Sequence, residues 1–269
     1  MTYCSRCGNL LKDEDLYCPK CGNQVIQAQA PQTYVRRHRH HHTMAPLTIA
    51  LIVVAVVVVF GMALPAVLVP PLAGVAVGSG HAVTTVENNT GFTSVAISSG
   101  FRFTITQSSS YSVTVTTDDN IVGHLQATQS GNALSIGLTP WMGVQSTSLS
   151  VQITMPDITQ LDISGGASGT VSGFNSSHGF TIDASYGSSA TITGSASSLS
   201  VDASYGSRVD LSGFHVTNAQ VNLSWGSWAT VNLDGRLDAN VSWGSQLFYI
   251  GNPTMGSINS TGGSNISRR

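Results

Sequence analysis

The sequence predicts an all-β fold of the β-solenoid class, a parallel β-helix, behind a short cysteine-rich head and a long apolar run. Three observations carry that reading. A four-residue string recurs at a near-constant interval, the residues around it alternate between apolar and polar, and charged residues and cysteines are sorted into separate zones of the chain.

The string is SYGS at 185–188 and 204–207, then SWGS at 224–227 and 242–245. Aligned on its glycine, the repeat continues in both directions as Gly166, Gly187, Gly206, Gly226, Gly244 and Gly263, with spacings of 21, 19, 20, 18 and 19 residues. A fixed period of this length is the mark of stacked repeats, because one such unit cannot bury its own apolar face. Ahead of the string stand Asp162, Asp183, Asp202, Asn222, Asn240 and Asn259. Their neighbours on one side are Leu161, Ile182, Val201, Val221, Ala239 and Ile258, and on the other Ile163, Ala184, Ala203, Leu223, Val241 and Ser260. This is the period of two expected of strands with one buried face, so the Asp/Asn and Ser columns are expected outside. After the glycine a second strand follows the same rule, with Gly169, Ala190, Val209, Ala229 and Leu247, then Val171, Ile192, Leu211, Val231 and Tyr249 inside. Glycines at 173, 194, 213, 235 and 251 close most repeats. Each repeat therefore reads as one coil of two or three short strands. A β-sandwich would not hold identical residues in step over six repeats. Residues 84–155 are less regular but strand-like, and are expected to supply the first coils and an N-terminal cap.

The segments GFTSVAISSGFRFTITQSSSYSVTVTTDDNIVGHLQATQSGNALSIGL and MPDITQLDISGGASGTVSG resemble the adhesin-head family of the GIN domain, over roughly residues 84–265. The resemblance implies a β-solenoid displayed on the outer side of a prokaryotic membrane, with no invariant catalytic residue. No outer-membrane barrel follows in this sequence, which departs from the auto-transporter part of the family description.

The head reads C-x2-C, ten residues, C-x2-C. Each C-x-x-C-G turn can place two thiolates on one tetrahedral ion, so Cys4, Cys7, Cys18 and Cys21 form a closed four-sulfur set. The head resembles the zinc ribbon, which implies structural Zn2+ on these four cysteines. Two disulfides are the alternative, disfavoured on a reducing side of the membrane. A thioredoxin-type site would need a surrounding βαβ unit that so short a segment cannot supply.

Between head and solenoid, Ala45 to Val77 carries no charge, and LTIALIVVAVVVVFGMAL (47–64) is long enough to cross a bilayer as a helix. VRRHRHHH (35–42) precedes it directly and no basic residue follows until Arg102. The positive-inside rule then sets the N-terminus in the cytosol and the solenoid outside. His38, His40, His41 and His42 alternate with arginine and read as a headgroup anchor rather than a metal site. The expected order is a zinc ribbon at 1–25, a basic linker at 26–45, a membrane helix at 46–69, a linker at 70–83 and the solenoid at 84–267.

From residue 81 onward ten acids face five arginines and no lysine, which excludes a broad basic face for nucleic acid. No nucleophile elbow, HExxH or phosphate loop is present, and no catalytic residue is assigned. Asp162, Asp183 and Asp202 would stack on successive coils. A shared cation is one way to relieve them, and a solvated Asp/Asn ladder is the plainer one. The sequons at Asn88, Asn175, Asn222, Asn240, Asn259 and Asn265 permit glycosylation without requiring it. The rings before the glycines, Tyr186, Tyr205, Trp225 and Trp243, leave two readings open. They pack toward the core or over a corner, or they form an exposed binding strip that includes Trp228 and Trp141. The functions expected are a surface binding or adhesion module for a glycan or protein, an envelope sensor with a cytosolic protein partner on the ribbon, and, remotely, an enzyme acting on polysaccharide.

Overall fold

The computed structural model describes residues 2–3, 7, 9–11, 18, 20–21, 76–139, 144–145 and 148–269. Contacts divide the chain into two units, Met1–Val67 and Leu68–Arg269. Among the described residues no helix is long and apolar enough to cross a membrane, and the anchor expected at 46–69 lies outside them. In the first unit Thr2–Tyr3 pairs antiparallel with Leu10–Leu11. Cys7 lies in the segment between these two strands.

The second unit is a solenoid of seven coils. One set of parallel strands runs Ser94–Ile97, Gln160–Ile163 and Gly179–Ala184, then the second halves of Ser189–Ala203 and Arg208–Leu223, then Arg236–Val241 and Thr254–Ser260. A second set runs Arg102–Gln107, Ser168–Asn175, the first halves of Ser189–Ala203 and Arg208–Leu223, then Trp228–Leu233, Gln246–Ile250 and Asn265–Arg268. The register puts each repeat residue on its counterpart one coil away, as in Leu161↔Ile182, Ile182↔Val201 and Val201↔Val221. All four are fully buried, and the apolar columns read from the sequence are the core.

The sequence period begins one coil late. Ser94–Gln107 is a complete coil, but the chain leaves it and returns to stack on it only at Gln160. The excursion builds the N-terminal cap. Ser150–Met155 extends the second sheet parallel to Arg102–Gln107, and Ser112–Asp118 and Ala82–Glu87 follow it antiparallel. Leu125–Ser130 and Ala133–Leu138 extend the first sheet as an antiparallel pair. At the other end nothing among the described residues stacks on the last coil, so Ile258 and Ser260, expected inside, are exposed, as is Met255.

Two glycines show how closely the coils approach. A side chain at Gly169 would meet the Phe103 carbonyl oxygen at 2.0 Å, so glycine there makes room for the phenyl ring of the coil beneath. At Gly194 a Cβ would meet the Phe174 oxygen at the same distance, and φ is +136°. Deleting core volume is expected to act through neighbouring coils as well. Ile192→Ala, at a fully buried site, is expected to cost about 2–5 kcal/mol and to lower the thermal midpoint of the full-length chain in a circular dichroism melt.

Candidate functional site

The repeated string forms a column of chain-reversing corners between the two sheets. Both central residues have positive φ, as a type I′ turn requires: 54° and 72° at Tyr186–Gly187, 52° and 73° at Tyr205–Gly206, 55° and 72° at both Trp225–Gly226 and Trp243–Gly244. The same geometry recurs at Ser99–Gly100, Gly165–Gly166 and Gly262–Gly263, giving seven corners for seven coils. From Gly166 onward each corner is tied to the next, because the glycine N–H donates to the carbonyl of the residue before the following glycine. These bonds run from Gly166 to Tyr186 (3.1 Å), Gly187 to Tyr205 (3.0 Å), Gly206 to Trp225, Gly226 to Trp243 and Gly244 to Gly262 (each 2.9 Å).

The sequence reading puts the serines that open the corners, Ser185, Ser204, Ser224 and Ser242, on the outside, and the serines that close them behave differently. Those opening each corner are half-buried, but Ser188, Ser207, Ser227 and Ser245, which close it, are buried to 1% or less. The physical reason is the tight turn, whose carbonyl points inward and needs a donor. The hydroxyls of Ser207, Ser227 and Ser245 supply it, to Ser204 (2.8 Å), Ser224 (2.8 Å) and Ser242 (2.7 Å).

The rings point outward over the corners and do not enter the core. Tyr186, Tyr205, Trp225 and Trp243 stack in one ladder with centroid separations of 4.9, 6.1 and 5.0 Å and interplanar angles of 1°, 6° and 2°. The inner rings, Tyr205 and Trp225, are 51% and 52% exposed, against 65% and 61% for Tyr186 and Trp243 at the ends. The difference follows from the stack. Inner rings cover one another's faces and offer edges, with the phenol hydroxyl or indole N–H, whereas each end ring keeps one face over a glycine, Gly165 or Gly262. Trp228 is not part of this strip; it is half-buried on the second sheet, and Trp141 lies outside the described residues.

Beside the ladder, on the outer side of the first sheet, runs a groove of about 360 Å3 lined by Asp183, Ser185, Asp202, Ser204, Asn222 and Ser224 among others. Asp162, Asp183 and Asp202 stack in register as expected. Their charge is relieved within the column itself: Gln160 donates to Asp162 (3.2 Å) and Asn222 to Asp202 (2.8 Å). Burial, then the hydrogen bond and charge of Asp162 and the charge of Asp202, push the Asp183 carboxyl up to about 6, opposed by Gln160. The folded state thus holds this proton more tightly than an unfolded chain does, and stability falls as pH rises from about 4 through 6. Asp183→Asn is expected to raise the thermal midpoint above that of the unsubstituted chain at pH 7.5, with the gain shrinking toward pH 4 in melts across the range.

In the first unit the sulfur atoms of Cys7, Cys18 and Cys21 lie within 4.8 Å of one another, with Cys7 and Cys18 at 3.7 Å. Four thiolates around zinc at about 2.3 Å would stand about 3.8 Å apart, whereas a disulfide needs about 2.05 Å. The spacing fits a tetrahedral metal site, with Cys4, outside the described residues, as the fourth candidate ligand. Cys7→Ser and Cys18→Ser are expected to reduce the zinc content of the purified chain by elemental analysis; unchanged zinc would contradict the assignment.

Comparison with known proteins agrees with this geometry. Residues 91–253 match the family described as "Putative auto-transporter adhesin, head GIN domain", and residues 3–25 match the zinc-ribbon domain. Among solved structures, a "putative adhesin" from Bacteroides fragilis NCTC 9343 superimposes with a TM-score of 0.61 at 16% identity, covering 72% of this chain and 99% of that one. A "putative lipid binding protein" from Parabacteroides distasonis ATCC 8503 gives 0.51 at 14% identity, covering 73% and 100%. These likenesses establish the fold. No curated protein matches the chain in sequence.

Proposed function

Because the chain belongs to the adhesin-head GIN-domain family, with a zinc-ribbon domain at its N-terminus, we propose that it is a membrane-anchored surface binding module whose contact strip is the ring ladder. In this reading the apolar segment at 46–69 is the anchor, the basic run before it faces the cytosol, and the solenoid is held outside the cell, where it meets a surface glycan or protein. The structural relatives bear names of binding proteins rather than enzymes, which supports a non-catalytic role.

One observation carries the reading: four exposed aromatic residues occupy left-handed backbone positions. Such a position costs a side chain with a Cβ about 1 kcal/mol or more. Stacked pairs return about 0.5–1.5 kcal/mol each, and there are three. Four such positions cost about 4 kcal/mol or more and three stacks return about 1.5–4.5 kcal/mol, so stacking at best offsets the strain and folding gains little from the rings. Gly165 and Gly262 fill the same corner without strain, so the corner does not require an aromatic residue. Exposed rings retained at no net gain in stability suit contact with a partner, by edge hydrogen bonds along the ladder and by open faces at Tyr186 and Trp243.

A second reading, an envelope sensor with a cytosolic protein bound to the ribbon, draws on the clustered cysteines of the first unit. Co-purification of a cytosolic protein that disappears in Cys7→Ser would favour it.

The test of the first reading replaces all four rings by asparagine, which tolerates the left-handed region and keeps the turn. The variant is expected to melt within a few degrees of the unsubstituted full-length chain and to lose binding on a glycan array or to whole cells. A large fall in thermal midpoint would make the ladder structural, and undiminished binding would remove it from the contact surface.

A further inference from the structure

Over the stacked coils the two sheets differ in charge, which composition alone hides. Of the five arginines beyond residue 81, Arg102 and Arg208 lie in one outward column of the second sheet, joined by the register Arg102↔Ser168↔Ser189↔Arg208↔Trp228. Arg268 belongs to the last strand of that sheet, and Arg269 follows it, its guanidinium 6.0 Å from the centre of the Phe248 ring. The fifth, Arg236, is on the first sheet and is bound by Asp238 at 2.7 Å. On the strands of the coils the acids divide the other way: Asp162, Asp183, Asp202 and Asp238 lie on the first sheet and Asp210 on the second, while Glu87 and Asp118 lie on the cap strands that extend the second sheet. Among the described residues, no carboxylate stands within ion-pair distance of Arg102, Arg208 or Arg269.

The surroundings of these cations narrow the ligand. The Arg208 guanidinium lies 4.7 Å over the Trp228 ring, and Trp228 packs against Phe248 at 5.7 Å. A guanidinium laid on a ring is held in one orientation with its edge free for an oxyanion. Beside it opens a cavity of about 460 Å3 lined by Ser189, Thr191, Arg208, Asp210, Trp228 and Arg269 among others. Between Arg102 and Arg208 the floor is made of Ser168 and Ser189, with Thr104, Thr170 and Thr191 in the next outward column. Hydroxyls, a carboxylate and an aromatic ring around fixed cations suit a polyhydroxylated chain bearing anions. A bilayer surface suits them less, because Trp228 and Phe248 are half-buried and one face of Trp228 is already covered.

The geometry points to a second binding surface, separate from the ring ladder: the Arg102–Arg208–Trp228–Arg269 face binds acidic polysaccharide, with carboxylated sugars as the ligand class. Successive coils stand about 4.8 Å apart, so arginines three coils apart span several sugars, and a polymer with an anion on each can meet both. Contact of this kind weakens as salt screens the charges.

Full-length chain in detergent is tested on immobilised polygalacturonate and neutral dextran, at low and high NaCl. The expected result is retention on polygalacturonate alone, lost at high salt, and weakened at least tenfold in Arg208→Gln/Arg269→Gln. Arg208→Lys, which keeps the charge without the fork, should lose part of the affinity. Equal retention on dextran, wild-type affinity in the double variant, binding to phosphatidylglycerol vesicles in place of polygalacturonate, or self-association through the acidic sheet would each overturn the assignment. A melt of the double variant matching the unsubstituted chain secures the comparison.

Discussion

Everything on the solenoid follows from one constraint, the parallel in-register stacking of coils. When each residue lies about 4.8 Å above its counterpart, like meets like at every column. Apolar columns then become a continuous core, which is why Val201 and Val221 are fully buried in coils of only about twenty residues. The same rule acts on the surface, where it is costly for charge and useful for rings. Burial, and then the stacked neighbours Asp162 and Asp202, raise the affinity of Asp183 for a proton, and the column passes to asparagine at 222, 240 and 259, where an amide can donate to the neighbour below.

At the corners stacking and backbone strain act together. From Gly166 to Gly244 the glycine N–H of each turn reaches the next coil's carbonyl, so these corners must keep positive φ at two successive residues. Glycine at the second position carries this without strain. The first position is where aromatic residues are placed, at a cost that their own stacking offsets. A site built this way is a row of edges with two open faces, different from a row of flat platforms, and the exposure of the end rings records that difference.

Much of the fold was legible in the sequence, because the period of the repeat and the alternation of apolar residues are direct images of stacking. The six later coils, their inward residues and the stacked Asp/Asn column could be read from spacing alone. The first coil could not, since the chain departs after Gln107 and returns only at Gln160; the string Ser98–Ser99–Gly100–Phe101 was the available sign. Ring direction was hidden because alternation fails at a left-handed corner, where a residue leaves the inward–outward phase of its strand. The buried second serine was missed for the same reason. The charge division between sheets was invisible because Arg102 and Arg208 become neighbours in a column only through pairing across the excursion. For the head, the cysteine spacing named the cluster that the structure brings together at Cys7, Cys18 and Cys21.

The account turns on whether the rings are a contact surface. Hydroxyl-radical footprinting of the full-length chain, with and without fragments of its own cell envelope, addresses this residue by residue. The account predicts that Tyr186, Tyr205, Trp225 and Trp243 oxidise readily in the free chain and are protected by the envelope, while Met255 at the open last coil oxidises equally in both. Equal oxidation of the four rings with and without envelope would contradict it.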